Sequence, residues 1–196
     1  THPGLLKMIH MSSNKPLSKY IRKINLVPVS ISYEVEPCDK HKTAELYARF
    51  KNGSYVKDPK EDLLSMLGGL NNFKGRVHIH FGKILDEELN ELDTISAPNE
   101  QYAKLALIID QSIHENFRIF EGSYIAYDIL TKSEKFKDKY TSAEFRSFSR
   151  HFLSQISDID GDKEVIRKIF LGIYANPLIN KLKLEKIPVI REEQAY

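Results

Sequence analysis

The chain has 196 residues, 41% of them hydrophobic and 29% charged, and its formal net charge is +2. That composition is that of an ordinary globular protein able to bury a core, and near-neutrality removes any bulk electrostatic case for nucleic acid. The one cysteine, Cys38, excludes an intrachain disulfide and fits a reducing compartment, while no apolar run approaches the roughly 20 residues that span a bilayer.

The opening "THPGLLKMIHMSSNKPLSKY" places Leu5, Leu6, Met8, Ile9 and Met11 within two turns, which predicts a short helix ended by Pro16. A strand is expected over residues 26–33, "LVPVSISY", although Pro28 inside it has no N–H for a ladder. "EPCDK" closes it as a turn. "KTAELYARF" reads as a helix, and Asn52-Gly53 as a turn. "PKEDLLSMLGGLNNF" predicts a helix with Pro59 at its start, one stripe of Leu63, Leu64, Leu67 and Leu70, and an end weakened by Gly68-Gly69. In "GRVHIHFGKIL", Val77, Ile79 and Phe81 alternate with Arg76, His78 and His80, the pattern of a half-buried strand with a polar face.

From "DEELNEL" onward the pattern turns helical. Tyr102, Leu105, Ala106, Ile109 and Ile113 predict one long amphipathic helix and "SAEFRSFSRHFLSQI" a second. "DKEVIRKIFLGIYANPLINKL" predicts a third, broken at Pro177. No internal repeat or low-complexity segment is present. The expected organisation is an α/β part over residues 1–90 and a helical region over 91–196. Two strands alone do not make a stable sheet, so further strands come from a partner or from a longer α/β domain of which this is the later part.

His78 and His80 share a strand face suited to a metal, but no third ligand is evident, so a solvated or groove-facing surface is the expectation and no metal is assigned. "DIDGD", residues 158–162, lacks the spacing of a calcium loop and reads as the cap of the following helix. His41 follows Cys38 closely, but a thiol nucleophile needs a spatial partner. No glycine-rich phosphate loop, paired-cysteine site or GxSxG elbow occurs. Gly75 and Gly82 bracket the second strand and permit close backbone approach, with Lys74 and Arg76 placing positive charge at its entrance.

In order and spacing these segments resemble the glycerolipid acyltransferases, the glycerol-3-phosphate and 1-acylglycerol-3-phosphate acyltransferases, and in particular their bacterial glycerol-3-phosphate-type branch. "LVPVSISYE" looks like the family's fourth conserved block, a hydrophobic strand with an internal proline. "GSYVKDPKEDLLSMLGGLNNFKGRVHIHFGKIL" resembles the helix and strand that follow it. "IDQSIHENFRIFEGSYIAYDIL" is similar to the helical region after the catalytic domain. The likeness covers residues 1 to 130.

The resemblance implies transfer of a fatty acyl group from acyl-CoA or acyl-carrier protein to glycerol-3-phosphate or its 1-acyl derivative, with no cofactor. The family's base is a histidine followed five positions later by an aspartate. Here the residues five positions after the seven histidines are Lys7, Lys15, Leu46, Lys83, Leu85, Ile119 and Ile156, so no catalytic residue is assigned. The family's arginine-and-glycine phosphate block is absent as well. Both precede the proline-containing strand in the family, so the chain is expected to be a carboxyl-terminal part, inactive by itself.

The substrate-binding residues carried over are Val27, Pro28 and Val29 as pocket wall, Tyr33 and Glu34 at the carboxyl end of the strand, and Arg76 toward phosphate. The resemblance also implies a peripheral protein on the cytoplasmic side of the inner membrane. "KPLSKYIRKI" and "KLKLEKIPVI" supply basic and apolar residues for an anionic surface. The competing expectation is a non-catalytic helical protein-binding or scaffold module.

Overall fold

The computed structural model describes residues 1–56 and 60–184. Among them the chain is mainly helical, with one small two-stranded antiparallel sheet. Pro59, expected at a helix start, lies outside the described residues, as do the side chain of Leu64 and most of "KLKLEKIPVI". The chain forms two compact units. One comprises residues 1–31 and 79–117, the other residues 32–78 and 118–196.

In the first unit, α1 (Pro3–His10) begins with a proline in its first turn and α2 (Leu17–Ile24) starts directly after Pro16. The short α5 (Asn90–Asp93) follows a 3-10 turn, and α6 (Pro98–Asn116) is the long helix expected from Tyr102 to Ile113. Leu6, Leu17, Ile21, Leu89, Leu92, Leu105 and Ile109 make the core. Removing such side chains from water at about 25 cal/mol per Å² is what holds these elements together.

In the second unit, α3 (Asp39–Asn52) ends at Gly53, whose φ of 72° gives a left-handed cap. The next helix, α4 (Glu61–Asn71), carries Gly68-Gly69 in its last turn and ends two residues beyond them. Three further helices follow, α7 (Glu121–Thr131), α8 (Ser142–Ile156) and α9 (Lys163–Leu184). The expected break at Pro177 does not occur: α9 continues past it, because Tyr174, Ala175 and Leu178 on either side are buried in the core with Phe152 and Phe170. Packing of those side chains outweighs the roughly 3 kcal/mol that an interior proline costs. The "DIDGD" segment caps α9, with Asp162 Oδ1 accepting the N–H groups of Glu164 and Val165 at 2.9 and 3.2 Å.

The strands are β1 (Val29–Tyr33) and β2 (Val77–Phe81). Gly82 N–H donates to Pro28 O at 2.9 Å, and Glu34 N–H to Arg76 O at 2.9 Å, so the ladder pairs Ile31 with Ile79 and Val29 with Phe81. Pro28 therefore stands just ahead of β1, at the ladder's end, where its missing N–H leaves no interior bond unmade.

The faces of the sheet are the reverse of the sequence expectation. Ser30 and Ser32 are buried, whereas Ile31, Ile79 and Phe81 are 45%, 52% and 72% exposed. His78 and His80 are only half-buried and lie on the inner side. The reason is tertiary: Ser30 Oγ donates to Asn116 O at 3.2 Å, and Ser32 Oγ accepts from Arg118 N–H at 2.9 Å. Short hydroxyl side chains satisfy the backbone where α6 ends, and the alternation of the pleat then sends the branched residues outward.

Candidate functional site

Three arrangements carry polar chemistry. In the first unit a cleft of about 690 Å³, within the range of small-molecule sites, opens beside the end of β2. His80, Lys83, Lys104, Gln111 and Ser112 line it, with Phe81 and Leu107 as apolar wall. Lys104 Nζ pairs with Glu91 at 2.5 Å. Gly82, which lines the cleft, packs against Pro28. A Cβ on Gly82 would lie 3.0 Å from Pro28 O and 3.3 Å from Ser112 Oγ, so glycine is what lets α6 and the strand ends approach.

In the second unit, the carboxylate of Glu34 holds Arg76. Oε2 accepts the Arg76 backbone N–H at 2.8 Å and Nε at 3.0 Å, and Oε1 accepts Nη2 at 3.0 Å. The same Nη2 also donates to Glu121. The Phe120 ring lies 5.1 Å from the guanidinium. Hydrogen bonds from Arg76 hold the Glu34 carboxyl below the usual carboxylate range. Gly75, at φ 62°, makes room, since a Cβ there would fall 2.6 Å from Glu34 Oε2.

The third arrangement is a buried polar knot at the start of α3. Asp39 Oδ2 accepts from the Tyr174 hydroxyl at 2.8 Å and lies 2.6 Å from His151 Nε2, and Asp39 Oδ1 accepts the Lys40 N–H at 2.7 Å. The Tyr174 oxygen takes the N–H of Glu36 at 3.1 Å. Burial, then the Asp39 charge, pushes the Tyr174 phenol far up, so it stays an un-ionised donor. Cys38, buried beside this knot, points its thiol at Ser65 O, 3.5 Å away.

The chain matches no family model, no curated protein and no solved structure. Its chemistry is read from its own residues.

Of the residues selected from sequence, the structure brings Glu34 and Arg76 together. Val27 and Val29 are exposed on the outer side, Pro28 is buried against Gly82, and Tyr33 ends β1 half-buried. Two carboxylates already neutralise Arg76, so an anion there has to displace one of them. Among the described residues no group of three or more His, Cys, Asp or Glu side chains is placed to hold a metal, His78 and His80 included.

Sequence reasoning missed Glu121, Asp39, His151 and Tyr174. Each meets its partner across at least 45 positions, a separation that leaves no local pattern. Gly75 and Gly82 were visible beforehand as the brackets of β2, and their close approaches give that spacing its cause.

Proposed function

We propose that the chain is the later part of a glycerolipid acyltransferase α/β domain followed by a mainly helical region. The observation that carries this reading is the sheet. Val29, Ile31, Ile79 and Phe81 form an outward apolar face of the kind that helices cover in an α/β domain. The order of the sequence blocks supports it, as does the placement of Pro28 at the ladder's end beside a cleft of ligand size.

In this reading the hydroxyl of glycerol-3-phosphate or 1-acylglycerol-3-phosphate attacks the carbonyl carbon of acyl-CoA or acyl-carrier protein. The C–O bond forms, the C–S bond breaks, and a histidine base carries the hydroxyl proton to the leaving thiolate. No histidine of this chain has an aspartate five positions on, so none of its residues is given the part of that base. The resemblance gives Val27, Pro28, Val29, Tyr33, Glu34 and Arg76 to substrate binding; within the first unit Pro28 meets Gly82 at the edge of the cleft, and within the second Glu34 holds Arg76. The protein works peripherally at the cytoplasmic face of the inner membrane, where its lipid acceptor resides, and needs no cofactor. Among the described residues no helix is long and apolar enough to cross a membrane.

The test is acyl transfer by the whole gene product in detergent. Radiolabelled acyl-CoA and acyl-carrier protein are each offered to both acceptors. Transfer in any combination sustains the reading, and its absence in all four removes it.

One observation favours the second reading, a helical protein-binding module. On α4, Leu63, Met66, Leu67 and Leu70, with Phe73 beyond it, form an exposed stripe at helical spacing. Capture of a defined helical partner, abolished by Leu70→Glu in a chain without transferase activity, would decide for it.

A further inference from the structure

The first unit carries a second exposed apolar stripe, on α1, in a stretch of chain that also carries exposed lysines. At 100° per residue, Leu5, Met8, Ile9 and Met11 fall on one side of α1 and its C-cap, and all four are exposed, Met8 at 69% and Met11 at 78%. The opposite side is the inward one. Leu6 is buried there, and His10 lies with Nδ1 2.7 Å from the Tyr102 hydroxyl. On α2, Leu17, Ser18 and Ile21 face the core, which leaves Lys19 and Lys23 exposed on the far side. The His10 ring of α1 lies 5.4 Å from the Tyr20 ring of α2, and Ser12 Oγ, just past α1, is 2.8 Å from Tyr20 Oη.

Residues 1–33 contain Lys7, Lys15, Lys19, Arg22 and Lys23 and not one aspartate or glutamate. Arg22 is engaged, with Nε on Asp86 at 2.7 Å and Nη2 on Asn90 Oδ1 at 2.6 Å. The four lysines are exposed, and among the described residues the ion pairs of this unit use none of them. Each part excludes an alternative occupant. A nucleic-acid backbone gains nothing from Met8 and Met11, and a neutral apolar protein groove gains nothing from four lysines. An anionic bilayer rewards both, taking the apolar stripe below its headgroups and the ammonium groups among its phosphates.

We propose that the outward faces of α1 and α2 dock on an anionic lipid surface. The proposal gives the membrane contact of the acyltransferase reading a location, and it rests on that reading for its biological setting.

The experiment is vesicle co-sedimentation of the full chain. Vesicles of phosphatidylcholine alone are compared with vesicles containing one third phosphatidylglycerol, at low and high salt. The chain is expected to sediment with the anionic vesicles only, and less at high salt. Lys19→Gln with Lys23→Gln lowers partitioning roughly twenty-five-fold, about fivefold for each charge removed. Met8→Glu with Met11→Glu abolishes binding, and Met8→Ser with Met11→Ser reduces it while melting unchanged. Absence of binding, equal binding to neutral vesicles, or unaltered binding by these variants overturns the proposal. Acyl transfer in detergent without vesicle binding removes this proposal alone, and vesicle binding without transfer removes only the acyltransferase reading.

Discussion

Gly75 and Glu34 occupy one space: the Glu34 carboxylate lies where a side chain at position 75 would begin. Because Gly75 also has φ 62°, alanine there is strained twice, by backbone and by contact. Gly75→Ala is expected to lower unfolding free energy by about 1–3 kcal/mol. Adding Glu34→Ala removes the contact with the carboxylate but leaves the Cβ of residue 34, 2.9 Å away, and the backbone strain, so the double variant costs less than the sum of the singles. Additive costs in denaturant unfolding would show that the contact is not felt.

The Glu34–Arg76 pair also sets a pH response. Hydrogen bonds from Arg76 depress the folded-state value of Glu34 below 4.5. A depressed carboxylate adds stability that is complete above its unfolded value and is lost as pH falls through the folded one. The stability gap between the parent chain and Glu34→Gln should therefore stay constant above 4.5 and shrink below it. Urea midpoints measured for both proteins down to about pH 3 check this, and a gap that persists there contradicts it.

Tyr174 and Asp39 make a different commitment, because both are buried. Tyr174→Phe removes the hydroxyl that serves Asp39 and accepts from Glu36, leaving polar groups short of partners in a dry site. The expected loss is about 1–3 kcal/mol. Asp39→Ala strips His151, Tyr174 and the Lys40 N–H of one shared acceptor, so its cost should exceed about 3 kcal/mol. Chemical denaturation orders the two, and a smaller loss for Asp39→Ala would place the stabilisation elsewhere.

What could be read beforehand was whatever depends on neighbours in sequence. The long helix through Leu105 and Ile109 and the helix over 142–156 follow from spacing, and the cap at Asp162 follows from its side chain's reach to nearby N–H groups. Alternation in β2 was legible as strand but not as orientation. Nothing within the strand tells that Ser30 must satisfy Asn116 O, 86 positions away, and so turn the hydrophobic side outward. Pro177 misled for the same reason: its local cost is real, and the burial of Tyr174 and Leu178 that offsets it is tertiary. Of the site, Glu34 and Arg76 were selected separately and prove to be partners, while Glu121 carried no sequence signal.

The outward sheet face supplies the prediction that bears most directly on function. Ile31 and Ile79 oppose each other across the ladder and are about half exposed in this chain. Replacing either by lysine removes little buried apolar surface here, so Ile31→Lys and Ile79→Lys should shift the unfolding free energy of the 196-residue chain by no more than about 0.5 kcal/mol. If the face is the one on which the remainder of an α/β domain packs, the same lysine in the whole gene product buries a charge without a partner. The cost there should exceed about 3 kcal/mol, with loss of acyl transfer. Parallel melts of the two proteins make the comparison. Equal tolerance in both would mean that nothing covers Ile31 and Ile79, and the acyltransferase reading would lose the observation that carries it.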